Sequence, residues 1–451
     1  MLVKMNGSKG HGTEPNDPST SRSRALDRRR FLRATGGVTA GASLAGCLGT
    51  YESIVGGSAT EGPVRIGLLA PDPDSDQIGR SMERGATVAV DELNDEDDGI
   101  DGRDVELVVA DTNGSPSEAR RQYQRLILEE AVDVTVGVFA SEALMNIIDD
   151  IAEQETIHLT SGAATTAVSQ RVNEQYDEYK YHFRVGPNNN HDLGQMQVDF
   201  LTDKADDIGW NSVAVLVEDY DWTEEPWKVY QDQLPDAGVE IVMEEQYPPA
   251  TEDFTAIYDE VEAVGADAAF ITTAHTGTDA LLDWVTPQPR PFAFGGIHVP
   301  MQLPSYYEAT NEACRFGVGQ SSATAQSTRT DKTQPFVNAY RDAYDGSSPV
   351  YTGYHTYDAV ALFADAVENA GTFDADELVS YIEDVSFTGS SGTVEFYGQD
   401  HEHTHDLRYD RSDPDPVYFQ WQENDDGEGS QEIIWPEDRA TAEYQTPTWL
   451  A

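Results

Sequence analysis

Residues 132–166 read VDVTVGVFASEALMNIIDDIAEQETIHLTSGAATT, and this stretch decides the fold class. A short β-branched run at 132–137 ends in glycine and leads to Ser141. Residues 142–153 then place Leu144, Ile147, Ile148 and Ile151 at helical spacing. A second short apolar run at 156–159 is closed by Ser161-Gly162-Ala163-Ala164-Thr165-Thr166. Apolar runs without alternation predict strands covered on both faces, so the pattern predicts a strand–helix–strand unit of a parallel sheet. In doubly wound α/β sheets, ligands sit beyond the carboxyl ends of the strands. Both strand ends here carry hydroxyls and small residues. That chemistry suits gripping a small polar molecule and offers no evident group to break it.

The alternation extends in both directions. Upstream, strands are predicted at 64–69 and 105–110, the second ending at Asp111, with helices at 82–94 and 118–130. Downstream, a strand at 181–185 meets the breaker cluster Gly186-Pro187-Asn188-Asn189-Asn190. Behind it a second series begins. Helices are predicted at 196–205, 227–234, 254–264 and 278–284, and strands at 212–217, 239–245, 268–273 and 292–294. Its strand ends carry Asp219-Tyr220-Asp221-Trp222, Ala274-His275-Thr276 and Gly295-Gly296-Ile297-His298. Two α/β lobes are therefore expected to face one another across a cleft. Residues 316–326 read as a further crossing, followed by helices at 334–344, 354–370 and 375–384. A β-rich tail follows, with strands at 393–396, 417–421 and 433–435.

Eighty-two acidic residues against 28 basic ones give a formal net charge of −54 over 451 residues. Self-repulsion on that scale opposes a compact state in dilute buffer. Molar salt shrinks the Debye length to about 3 Å and screens it. With the acid spread along the whole chain, this is the surface of a halophile's protein, and nucleic acid is excluded as a partner. The two cysteines, Cys47 and Cys314, form no disulfide framework.

Near the start, Arg28-Arg29-Arg30-Phe31-Leu32-Arg33 precedes a small-and-apolar run too short to span a bilayer. The arrangement resembles a twin-arginine export segment, and Leu44-Ala45-Gly46-Cys47 resembles a lipobox. Together they predict export, with Cys47 lipidated and holding the protein at the outer face of the membrane. Residues 1–47 are thus read as the leader and 48–63 as a tether.

The ordered motifs resemble the solute-binding proteins of ABC importers, in the branch taking branched-chain amino acids, amides and urea. The resemblance implies the type I periplasmic binding protein fold, in a haloarchaeal lipoprotein form. The carriers are Val64-Arg65-Ile66-Gly67, the helix ending Asp91-Glu92-Leu93-Asn94, Gly137 with Ser141, Ser161–Thr166, Asp219-Tyr220-Asp221-Trp222 and Tyr357-Asp358-Ala359. The resemblance implies two Rossmann-like lobes joined by three crossing segments, with lobe one at 64–186 plus 321–391 and lobe two at 187–320 plus 392–451. It also implies a permease partner, no cofactor and no catalysis. Ser141, Ala163 and Thr165 correspond to the family's carboxylate or amide grip, and Trp222 with Tyr220 to its aromatic lid. The family's ammonium-binding acid is replaced by His298, and a frequent tyrosine falls at Ala274 or His275. Asp111, at a strand end, completes the candidate ligand set.

Ser141 and Thr165 also suit helix caps, and Tyr354 and Tyr357 suit helix packing. A sensor that signals to a membrane partner is the alternative within the binding class. A second alternative comes from His401-Glu402-His403-Thr404-His405, which satisfies the H-E-x-x-H pattern of zinc hydrolases. That chemistry needs His401, Glu402 and His405 on a helix, whereas the flanks Gly398-Gln399-Asp400 and Asp406 predict a turn.

Overall fold

The computed structural model describes residues 62–451 except 97 and 425. The leader at 1–47 with Cys47, and all but the last two residues of the 48–63 tether, lie outside the described residues.

The first lobe is built on five parallel strands: β1 (Val64–Ala70), β2 (Val105–Asp111), β3 (Val134–Gly137), β4 (His158–Thr160) and β5 (His182–Arg184). Their order is β2-β1-β3-β4-β5, every pair parallel. The helices between them are α1 (Gln77–Glu96), α2 (Pro116–Leu128), α3 (Ser141–Gln154), α4 (Thr166–Glu174) and the short α5 (Tyr176–Tyr179). Ile66, Leu68, Val134, Val136 and Leu159 are fully buried, as strands sandwiched between helix layers must be.

The second lobe repeats the plan. After α6 (Asn190–Ile208) come β6 (Ser212–Glu218), α7 (Glu224–Gln233), β7 (Glu240–Tyr247), α8 (Thr255–Val264), β8 (Ala268–Thr273), α9 (Asp279–Val285), β9 (Ala293–His298), α10 (Tyr306–Ala309) and β10 (Val318–Ser321). The chain then adds α11 (Thr333–Ala343), α12 (Tyr351–Ala370), α13 (Ala375–Glu383), the hairpin β11 (Phe387–Thr388) and β12 (Thr393–Val394), and finally β13 (Val417–Glu423) and β14 (Gly429–Trp435). The second sheet runs β14-β13-β10-β9-β8-β6-β7, with β13 and β14 antiparallel to their neighbours. Strands β7-β6-β8-β9-β10 thus reproduce the order β2-β1-β3-β4-β5. Each lobe has its topological switch point beside its own first strand, and loops diverge there to leave a crevice.

Helices α11 to α13 return to the first lobe, where α12 lies along α1 and buries Ala359, Val360, Phe363 and Val367. The third crossing falls later than the sequence reading places it. Val394, Phe396 and Leu407 all belong to the first lobe's core, so 392–407 stays with that lobe. Just beyond it, Tyr409 donates to Asp199 on α6 at 2.8 Å.

Two strand residues near the gap require glycine. Gly137 has φ +110° and Gly296 φ +125°, and a Cβ would sit 2.3 Å from the Leu69 carbonyl oxygen or 2.2 Å from that of Ile271. Val138, next in line, is itself held at φ +65°. This turn directs Phe139 and Ala140 out of the sheet and toward the other lobe.

Candidate functional site

The strand ends of both lobes close on a gap with an empty volume of about 520 Å³, partly open to solvent. The first lobe contributes Phe139, Ala140 and Ser141 from the β3–α3 turn, Gly162 and Ala164 from the loop after β4, and Tyr351 at the start of α12. Facing them from the second lobe are Leu193, Trp222, Ala274, His275, Ile297 and Val299. Pro187 and Ser322 belong to crossings, and Gln302 and Gln320 line the far end. Much of the lining is apolar, and Ile78, Ala164, Leu193, Met196, Trp222, Ile297 and Tyr351 form a cluster separate from either lobe's core.

The polar groups are few and firmly placed. Ser141 is the first residue of α3, with Ala140 in the cap position, so its hydroxyl is not the helix cap. The first backbone N–H groups of a helix have no intrahelical acceptor, and the helix dipole favours an anion there.

Across the gap stands His275, with Glu218 behind it at the end of β6. Glu218 is fully buried. One of its oxygens accepts from His275 Nδ1 (2.9 Å), Trp222 Nε1 (2.8 Å) and the Ala274 N–H (3.0 Å). The other accepts from Thr273 Oγ1 (2.6 Å) and the His275 N–H (2.9 Å). Burial works to raise the pKa of Glu218, but the hydrogen bond and charge of His275, with Thr273 and Ala274, outweigh it and hold the group at about 2. An ionised carboxylate only accepts, so Nδ1 carries a proton. The carboxylate orients Trp222 and His275 and has no capacity left for a ligand's ammonium.

Tyr220 does not line the gap. It stacks on the His275 ring at 4.0 Å and donates to Glu142 of the other lobe; burial, then Glu142, pushes its hydroxyl up to about 12.

Other sequence candidates are placed elsewhere. Ala163 and Thr165 lie just behind the lining, where both carbonyls accept from the buried guanidinium of Arg184. The Thr165 hydroxyl caps α4 by accepting from the Ala167 N–H. Asp111 is a correction: β2 is an outer strand, and its carboxylate accepts from Asp72 and Asn113 N–H to staple a turn. His298 is another. The strand predicted at 292–294 runs on to His298, so alternation sends Ile297 and Val299 toward the gap and His298 into the lobe interior. There it packs between Phe294 and Tyr306, and burial lowers its pKa to about 4. Tyr354 and Tyr357 pack around Phe336; the gap takes Tyr351, one turn earlier.

The zinc-hydrolase alternative is also corrected. Residues 401–405 form turns, not a helix. His405 is committed through both nitrogens, to Glu383 (2.8 Å) and the His182 carbonyl (3.0 Å).

Sequence reasoning missed Asn190. Its N–H donates to the Ala164 carbonyl, its side-chain oxygen accepts from Thr166 N–H, and its side-chain nitrogen donates to the Trp222 carbonyl at 3.1 Å. One residue in the first crossing thus ties the grip loop of one lobe to the lid of the other. The breaker cluster marked the place without revealing the role.

The family model described as periplasmic binding protein matches residues 63–413. The chain belongs to this family of extracytoplasmic solute-binding proteins. Among its relatives, the Leu/Ile/Val-binding protein homolog 7 of Brucella suis is 23% identical, over 87% of this chain and 96% of that one. A putative branched-chain amino acid ABC transporter structure from Silicibacter pomeroyi superposes with TM-score 0.72 at 20% identity, covering 86% of this chain and all of that one. A solute-binding protein of an ABC transporter from Rhodopseudomonas palustris, solved with 3,4-dihydroxybenzoic acid, gives 0.69 at 18% identity, covering 87% and 100%. This periplasmic binding protein therefore shares its fold with structures described for different kinds of solute.

Proposed function

We propose that the chain is the solute-capturing subunit of an ABC importer. It would be exported through the twin-arginine route, anchored by lipidated Cys47 and working in concentrated salt. Its solute is a small monocarboxylic acid with an apolar or aromatic body. The observation that carries the reading is the placement of Ser141 at the N-terminus of α3 opposite His275, across a gap otherwise walled by Phe139, Leu193, Trp222, Ile297 and Tyr351. A carboxylate would accept from the Ser141 hydroxyl, the helix N–H groups and the remaining nitrogen of His275, whose protonated form donates. The apolar body would replace water against the aromatic walls. Because the solute touches both lobes, it favours the closed arrangement over the open one. A permease and its ATPase would then receive the solute from the closed form.

The amino acid reading keeps one support. Glu142, at the start of α3 and next to Ser141, has a buried carboxylate oxygen without a hydrogen-bond partner, an acceptor of the kind an ammonium needs. A thermal-shift screen in molar KCl separates the two. A true solute at 100 times its dissociation constant stabilises by about 2.7 kcal/mol. Benzoates and branched-chain carboxylic acids lacking the amine are expected to shift the transition, and urea and amides to leave it unchanged. A shift confined to zwitterionic amino acids would transfer the assignment to Glu142 and a branched-chain amino acid.

A further inference from the structure

We propose a transition-metal site at the first crossing, outside the gap, formed by His191, Asp192 and His403. One donor atom from each lies within 4.8 Å of the others. His191 Nδ1 is 3.4 Å from Asp192 Oδ1, and the rings of His191 and His403 are 5.3 Å apart.

Several features mark the cluster as a built site. His403 is buried, yet its Nδ1 has no hydrogen-bond partner, an expensive arrangement for a polar atom that a metal would relieve. Asp192 is oriented through its other oxygen, which accepts from Asn189 Nδ2 and from the Tyr397 hydroxyl, each at 3.1 Å. That leaves Oδ1 directed at His191. Carboxylate ligands in metal sites are held by such outer partners. The turn carrying His403 is fixed in turn, because the His403 N–H donates to His401 Nδ1 at 3.1 Å and the His401 ring stacks on Tyr397 at 3.9 Å.

Two imidazoles and one carboxylate suit Zn²⁺ and its neighbours better than Mg²⁺ or Ca²⁺, which prefer all-oxygen shells. Metal–ligand bonds of about 2.0–2.1 Å require the three donors to draw together. The His191 side chain, 40% exposed, has the freedom to supply that movement and leaves a fourth position for water.

The ligands come from both sides of a crossing. His191 and Asp192 open α6 of the second lobe. His403 sits on a turn that the first lobe holds through the buried Arg184–Asp406 pair (2.8 Å) and the His405–Glu383 contact. A bound ion therefore braces the start of α6 against the first lobe, beside the Asn189–Asn190 link about which the lobes would move.

The test uses the untagged full chain in molar KCl, stripped with chelator, then titrated with Zn²⁺ and with Co²⁺ as a spectroscopic probe. One equivalent of Zn²⁺ is expected to bind and raise the melting temperature, and Co²⁺ to show ligand-field bands. His191→Ala should weaken binding at least tenfold without changing the metal-free melting temperature, since that side chain is half-exposed. His403→Ala and Asp192→Asn should do the same to binding. Absence of stoichiometric binding by the stripped protein would overturn the site, as would binding that survives both His191→Ala and His403→Ala. None of these readouts depends on the identity of the solute.

Discussion

His275 Nδ1 lies 2.9 Å from the Glu218 carboxylate, and the oxygen it contacts also receives the Trp222 indole N–H at 2.8 Å. One buried acid thus aims two residues of the second lobe's wall. Glu218 ends β6, while His275 follows β8, so the pairing exists only because those strands are adjacent and parallel.

That arrangement predicts an acid-labile fold. The Glu218 pKa is depressed from 4.5 to about 2. Its contribution is complete above about pH 4.5, where the unfolded chain is also ionised, and is lost as pH falls toward 2. The shift corresponds to about 3 kcal/mol at neutral pH. Glu218→Gln should flatten that part of the stability–pH curve, measured by denaturant unfolding in high salt. An unchanged acid limb would remove Glu218 from this role.

Binding should report the same wall. His275→Ala and Ser141→Ala are each expected to weaken a small carboxylate by about ten- to a hundredfold, the range for a hydrogen bond to a charged group. Trp222→Ala should cost affinity through lost apolar contact and remove one of three donors to the same Glu218 oxygen. Calorimetry with the solute from the thermal screen reads all three, and normal affinity in both Ser141→Ala and His275→Ala would place the carboxylate elsewhere.

Arg184 and Asp406, both fully buried, are 2.8 Å apart. Removing one partner of a buried pair leaves the other charge stranded, at a cost of about 3–5 kcal/mol. Asp406→Ala should destabilise by that amount, and should also loosen the loop at Ala163–Thr165, because Arg184 donates to both carbonyls. Denaturant midpoints and hydrogen exchange at 161–166 measure the two effects.

The net charge of −54 predicts a steep salt dependence. Raising KCl from about 0.1 M to about 1 M contracts the Debye length from roughly 10 to 3 Å. The melting temperature should climb across that interval, more steeply than for a neutral protein of this size. A flat profile would contradict the reading of the surface.

Sequence alone was sufficient for the two-lobe α/β plan, because short apolar runs alternating with amphipathic helices have few other solutions. It also singled out Ser141, Trp222 and His275, which line the gap because they lie directly beyond strand ends and so inherit their position from local structure. What it left open depends on register and long-range pairing. His298 was misplaced because a strand that runs four residues further reverses which side chains face the gap. Tyr351 was passed over for Tyr354 and Tyr357, since only the packing of α12 on α1 decides which turn of that helix reaches the opening. The saturation of Glu218, the reach of Asn190 between lobes and the meeting of His191 with His403 join residues up to 212 positions apart. No local pattern encodes such distances; they arise when the chain crosses between lobes and brings remote loops to one place.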